Sequence, residues 1–427
     1  MKFVEGEIRV VGTRWSPRVH EIKDFLARSR TPFLWFDVDS DDKARAIAEE
    51  IAPGGNRWPI VLFPDGTKMV EPTVRDVAAK LGLDTEPDSM SWDLIVVGGG
   101  PAGVSASIYG GSEGLRTLVV EQTVTGGQAS YSASIENYPG FPDGLSGSEL
   151  ARRAVAQAER FGVEILVTRR AIGLREEDEH LFVKLDDGRE LEAHAVLLSV
   201  GVTFRWLDAP GCPELVGAGI YYGSATAEAS ACIQQQVYIL GGGNSAGQAA
   251  LLLAKYADCV TILTLEDSLE ETMSKYLVDR IRNTRNIVIK TGHTVAGAEG
   301  SGHLETITIR NQKTNETKKV PCRSLFVFIG ALPNTDWLGD VVERDAQGFV
   351  LSGFDCHDGK PAGWQLDREP YPLETTKAGV FVAGDVRKGS VKRLTSAAGE
   401  GAMAAHFIYR YCASMRERRS AVAESAK

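Results

Sequence analysis

No two of the six cysteines (Cys212, Cys232, Cys259, Cys322, Cys356 and Cys412) are separated by two residues. The chain thus holds no Cys-x-x-Cys for thiol exchange, and no zinc-site spacing either. No metal ligand is assigned. A run of 18 apolar residues is also missing, so no transmembrane helix is expected. Met1–Val11 carries charges in an alternating pattern, which reads as a first strand and not as a signal peptide. A cytoplasmic location is expected, where most cysteines serve as small buried residues. Basic charge is in deficit: 47 Lys and Arg against 57 Asp and Glu leave a net charge of −10. Such a chain has no general field that attracts nucleic acid or anionic lipid, and neither is expected as a partner. The basic run Arg416–Arg419 reads as a helix end and solvated tail.

Glycine is abundant, at 45 of 427 residues. At roughly 100–200 residues per domain, two to four domains are expected, with many tight βα turns. Residues 1–84 read as a small α/β domain of order βαβαββα. Its strands are Glu7–Gly12, Phe33–Val38, Pro59–Phe63 and Lys68–Val70, with a turn at Asp65-Gly66. Its first helix starts at Ser16-Pro17, with serine as cap and proline at the first helical position. Further helices span Asp42–Ile51 and Val74–Leu81. Asp84–Ser91 is polar and aperiodic and reads as a linker.

From Trp92 the pattern becomes strand, glycine turn, helix. Trp92–Val97 is a nearly continuous apolar run, broken only by Asp93, as in a strand buried on both faces. It runs into Gly98-Gly99-Gly100-Pro101-Ala102-Gly103. Gly98 permits the tight turn, Gly100 lets backbone approach a pyrophosphate, and Gly103 lets helix pack on strand. The helix start favours the negative charge. The next strand, Thr117–Val120, ends at Glu121, 23 residues after Gly98, where a carboxylate can accept from ribose hydroxyls. Gly126-Gly127-Gln128 and Ile135–Gly140 are rich in small residues and amides, as suits backbone against a flat ring. Near the far end, Gly379–Ala383 is a strand leading to Gly384-Asp385. Thr395–Ala405 is a small-residue helix suited to packing beneath that ring.

These segments, in this order and over nearly all of 92–412, resemble the thioredoxin-reductase branch of the pyridine-nucleotide-disulfide oxidoreductases. The matching pieces are GGGPAG, GGQ, IENYPG, a second glycine turn, LFVFIGALPNT and GVFVAGDV. The resemblance implies FAD held by Gly98, Gly100, Pro101, Ala102, Gly103, Glu121, Gln122, Gly127, Gln128, Asn137, Gly201, Gly384, Asp385 and the stretch Lys392, Arg393 and Leu394. It also implies two Rossmann-like domains, the NAD-type one inserted in the FAD domain, and a homodimer. The expected division is FAD domain 92–210, NAD(P)-type domain 211–336, FAD domain again 337–412, and a tail 413–427.

The second turn follows the strand Gln236–Leu240. The resemblance places a pyridine nucleotide there, on Gly241, Gly243, Asn244, Ser245 and Ala246. After the strand Val260–Leu263 comes Thr264-Leu265-Glu266-Asp267. A 2′-phosphate needs arginine at this place and a free ribose prefers an acid. With Glu266 there, NADH is favoured over NADPH.

Three departures from the family pattern stand out. The segment that carries Cys-x-x-Cys in thioredoxin reductases reads Gly219–Ala227 here, with Ser224 and Ala227 in place of the cysteines. No disulfide can form at that position. Relatives often read Arg-Gln-Ala before the last helix, whereas this chain has Val391–Leu394, and Lys392 and Arg393 are candidates for a cation near the flavin. The insert Phe354–Pro372, holding Cys356 and His357, reads as a surface loop, with a cover over the flavin as the alternative.

The first domain resembles a glutaredoxin or thioredoxin fold, with Trp58-Pro59 at the position of its cis-proline. Its Cys-Pro-x-Cys position reads Ser16-Pro17-Arg18-Val19. It also resembles the thiol-binding domain of glutathione transferases, and a docking role without ligand is the alternative. The expected function is an FAD-dependent NAD(P)H oxidoreductase. Its electron acceptor is unidentified, a protein being one candidate, and no catalytic side chain is assigned. The alternatives are a thioredoxin-disulfide reductase that uses other cysteines, and a non-catalytic FAD-bound sensor.

Overall fold

The computed structural model describes residues 7–54, 57–132, 134–178, 180–223, 225–355, 360–361, 364 and 366–425. Ser224, Cys356 and His357 lie outside the described residues. The helices, in chain order, are α1 (Pro17–Arg28), α2 (Asp42–Ile51), α3 (Val74–Lys80), α4 (Pro101–Ser112), α5 (Gly147–Arg160), α6 (Ala225–Glu228), α7 (Asn244–Leu253), α8 (Lys275–Arg282) and α9 (Leu394–Ser425). The chain divides into two compact units.

The first unit comprises Met1–Val77, Tyr131–Ser134 and Phe204–Ala331. Its leading part forms a four-stranded sheet in the order Phe33–Asp37, Ile8–Gly12, Ile60–Leu62, Lys68–Val70. The first pair is parallel and the other two are antiparallel. Ser16 caps α1 by accepting from the Val19 amide, and Pro17 supplies a preset φ. Val19, Ile22, Phe25 and Leu26 share the buried face of that helix, at helical spacing. The Trp58–Pro59 peptide is cis. The rest of the unit holds a three-stranded antiparallel sheet of His293–Glu299, Thr306–Asn311 and Thr317–Pro321 and a five-stranded parallel sheet in the order Ile220–Tyr222, Ser324–Val327, Gln236–Leu240, Cys259–Thr264, Ile287–Thr291. Val237, Ile239, Val260, Ile262 and Phe326 form its core with the Ala246, Ala250 and Leu253 face of α7.

The second unit comprises Ala78–Ser130, Ile135–Thr203 and Leu332–Lys427. Its sheet runs Glu164–Leu166, Thr117–Val120, Ser91–Val97, Glu190–Leu198, His180–Leu185, Ala171–Glu177. Val380–Val382 returns from far along the sequence and pairs parallel with Val196–Leu198. Every side chain of that short strand is buried. Its all-apolar composition matches a strand with both faces covered.

Two expectations change. The segment Asp84–Ser91 is not a loose linker, because it is stitched to the second unit. Val167 N donates to Asp84 O, Asp88 N to Glu164 Oε1, and the buried Arg169 reaches Thr85 O and Glu86. The helix expected over 395–405 runs from Leu394 to Ser425, through the segment read as a tail. Arg416 anchors this extension by donating to Asp93 Oδ1 at 2.9 Å.

Candidate nucleotide sites

Four distant segments meet at the start of α4. Gly100 caps this helix with no side-chain hydrogen bond, so its first amides remain for a ligand. Gly98 has φ +105°, and a Cβ there would lie 2.4 Å from Ser199 O. At Gly103 a Cβ would lie 1.9 Å from Gly98 O. Both positions therefore require glycine. Gly126 N donates to Gly99 O at 2.7 Å, which brings the second glycine pair beside the first. A Cβ on Gly127 would lie 3.1 Å from the Gly100 Cα. From the far end of the sequence, a Cβ on Gly384 would be 3.0 Å from the Ala102 side chain. Gly401 of α9 packs on Ala102 as well, with 2.0 Å from a built Cβ to Ala102 O.

Glu121 is 6% exposed and closes this turn. It accepts from the Gly99 amide at 2.8 Å and from the Thr123 amide at 2.8 Å. Asp385 follows the returning strand. Burial pushes its carboxyl above the ordinary range, Lys392 works against that shift, and Glu400 adds to it. The Gln128 side chain donates to Val202 O beside Gly201, which has φ +61°. Asn137 is exposed on a loop that begins at the Ile135–Leu145 bridge. Leu394 starts α9, while Lys392 and Arg393 are exposed. Lys392 Nζ sits 4.4 Å from the Phe349 ring centroid. An open glycine cradle, uncapped amides and a buried carboxylate fit a dinucleotide, so Gly98–Gly103 and Glu121 would hold FAD. Ser199 and Glu400 escaped the sequence reading. Ser199 Oγ donates to Gly98 O at 2.9 Å, and Glu400 accepts from the Gly384 amide at 2.8 Å and pairs with Arg387. A lone carboxylate in the small-residue stretch of α9 was the available signal for Glu400.

The second turn is built the same way. Gly241 has φ +141°, and a Cβ there would lie 2.3 Å from Phe328 O. Gly243 has open space around it and caps α7 without a side-chain bond. The Glu266 carboxylate lies against Gly242, 2.6 Å from a built Cβ, as Glu121 lies against Gly99. Thr264 Oγ1 donates to Glu266. Asp267 pairs with Lys313 at 2.6 Å, an exposed contact. The Asn244 oxygen accepts from the Ser274 amide at 2.7 Å, so that atom caps α8. Ser245 is exposed and Ala246 is buried.

Cys212, Cys232, Cys322 and Cys412 are buried, and Cys259 is half-buried. Burial pushes the thiols up, Cys212 to about 11 and Cys232 and Cys412 to about 12. The described residues of the insert form an irregular, part-exposed segment that is anchored at its end. Glu374 is fully buried and accepts two bonds from Arg368, at 2.6 and 2.9 Å, and further bonds from the Tyr371 and Gly379 amides. Tyr371 stacks on Phe407 of α9 at 5.2 Å. This anchor lies at the Gly379 end of the returning strand, opposite Gly384. Ser16 is half-buried at the start of α1, and Pro17 beside it lies against Gly217. Among the described residues no helix is long and apolar enough to cross a membrane.

A family model for pyridine nucleotide-disulphide oxidoreductases matches residues 92–401. The chain belongs to this family. It is 32% identical to thioredoxin reductase of Treponema pallidum over 321 residues, 75% of this chain and 97% of the relative. It is 34% identical to the bifunctional thioredoxin reductase/thioredoxin of Mycobacterium leprae over 314 residues, 73% of this chain and 64% of that one. The structure of Lactococcus lactis thioredoxin reductase in its FR conformation superposes with a TM-score of 0.68 at 26% identity, over 76% of this chain and 99% of that one. The chain is thus an FAD-dependent NAD(P)H oxidoreductase of thioredoxin-reductase type, with the mixed α/β fold of that group.

Proposed function

We propose that this oxidoreductase takes reducing equivalents from NADH and delivers them, through FAD, to an acceptor other than a disulfide of its own chain. The likeness of the second glycine turn to the first carries this reading. Both turns pair an uncapped helix start with a carboxylate at the end of the next strand. The amides of α4 and α7 would hold pyrophosphates, and Glu121 and Glu266 would accept from ribose hydroxyls. Asp385 would accept from the ribityl chain. Bound FAD supplies the hydride chemistry, and the protein supplies position and electrostatics. A hydride transfer needs no side-chain acid or base, so none is assigned.

Sulfur chemistry limits the acceptor. Ser224 and Ala227 cannot form a disulfide. The buried cysteines are poor substitutes, because raised thiol pKa values leave little thiolate at neutral pH. This weighs against thioredoxin reduction through Cys232. The domain division 1–84, 92–210, 211–336 and 337–412, a homodimer and a cytoplasmic location remain part of the same proposal. Anaerobic mixing with NADH, and separately with NADPH, tests it through bleaching of the flavin band. NADH should bleach the flavin, and should do so at concentrations about tenfold or more below NADPH, the least that one charge-assisted hydrogen bond gives. Equal potency of the two would sink the cofactor preference, and no bleaching with either would sink the donor.

A further inference from the structure

Within the first unit, α1 is docked along its length. Trp15, just before the helix, stacks on His303 at 4.3 Å. Pro17 lies against Gly217, 3.0 Å from a Cβ built there to the Pro17 Cα. The His20 ring lies 5.1 Å from that of the buried Tyr221. Arg28 Nη1 donates to the Tyr131 hydroxyl at 3.0 Å.

At the centre is a buried charge cluster. Glu228, the last residue of α6, is 2% exposed. Its carboxylate accepts from Lys23 Nζ at 3.1 and 3.0 Å and sits 2.8 Å from His20 Nδ1. Lys23 is itself 4% exposed, with Nζ 4.9 Å from the Trp35 ring centroid. Burial alone would push the Glu228 carboxyl up. Lys23, and after it His20, reverse this and hold it at about 2. Buried charges tolerate only the geometry that pairs them, so this cluster fixes the register of α1 on α6.

Both helices lie at positions where the families that the sequence resembles carry a dithiol, and neither holds cysteine here. Ser16–Val19 opens α1 where a glutaredoxin-like domain has Cys-Pro-x-Cys, and 224–227 leads through α6 where the reductase branch has its own pair. Disulfide exchange requires sulfur to touch sulfur, so a thioredoxin-type protein would have to approach α6. We propose that the N-terminal domain is the resident occupant of that approach, and that the chain thereby excludes thioredoxin-type proteins as acceptors. This rests on the oxidoreductase reading and narrows its acceptor to a molecule that does not dock at α6.

Hydrogen exchange on the full, FAD-loaded chain tests the occupancy without any turnover. In the parent, amides of 225–232 should exchange at least about tenfold slower than in the His20→Ala, Lys23→Ala variant, with Gln236–Leu240 unchanged. Equal exchange in 225–232 overturns the proposal. If the double variant also loses protection at Gln236–Leu240, Trp15→Ala replaces it, which keeps the ion pair and removes the stack. A second arm adds Ser224→Cys and Ala227→Cys to the locked and the unlocked chain. Reduction of a bacterial thioredoxin by NADH should be at least about tenfold faster in the unlocked form. Equal turnover in both forms overturns the exclusion. Flavin bleaching by NADH is measured alongside, so loss of the donor reading is seen separately from loss of the occupancy.

Discussion

Gly401→Ala, set against Gly399→Ala in the same helix, tests how the FAD cradle is assembled. Both substitutions replace glycine inside α9, and each should gain up to about 1 kcal/mol of helix propensity. At Gly399 nothing lies within 4 Å of the new Cβ. At Gly401 the Cβ would stand 2.0 Å from Ala102 O and 2.9 Å from the Ala102 carbonyl carbon, both backbone atoms of α4. Ordinary contact is about 3.5 Å, so the helices must part by roughly 1.5 Å. Overpacking of this kind costs about 1–3 kcal/mol. The strain falls one residue from Gly103, on the turn that would carry the pyrophosphate, and seven residues from Leu394. Lost as binding, it would weaken FAD by about 5- to 150-fold. The assay is flavin retained per chain after dialysis, with a thermal melt. Gly399→Ala should keep its flavin and melt no lower than the parent. Gly401→Ala should lose flavin and melt lower. A Gly401→Ala protein with full flavin and the melting point of Gly399→Ala would refute the close α4–α9 packing as a requirement of the site.

Replacing Glu266 with alanine and Asp267 with arginine should shift the preference toward NADPH by about tenfold or more, read as the ratio of concentrations giving half-bleaching. Glu228 is held near 2 against an ordinary 4.5, a difference worth about 3 kcal/mol. That stability is present above about pH 5 and is lost as the pH falls toward 2, so urea midpoints of the parent should fall across that window and those of Glu228→Gln should fall less. Glu374→Ala removes the acceptor of the part-exposed Arg368 and of the Tyr371 and Gly379 amides and should cost about 1–3 kcal/mol. Flavin bleaching by NADH should survive in whatever remains folded, because this anchor lies at the end of the strand away from Gly384.

What could be read from the sequence was local. A glycine turn needs its glycines within six residues and its carboxylate at the end of the next strand, so both glycine turns, with Glu121 and Glu266 beside them, were visible in the chain. The returning strand Val380–Val382 was visible because it is short, wholly apolar and followed by Gly384-Asp385. What escaped is set by contacts distant in sequence. Lys23 and His20 look like residues of a solvated helix face, and nothing near them announces Glu228, more than two hundred residues on. Arg368 sits in an insert whose composition reads as loop, yet a bidentate pair with Glu374, two residues beyond the insert, and a stacked tyrosine give it a fixed anchor. The joint absence of cysteines at 16–19 and 224–227 was legible in the sequence, but not a contact that links the two positions. On the proposed occupancy the buried cluster would join them, because Lys23 and Glu228 hold α1 against the position of the second.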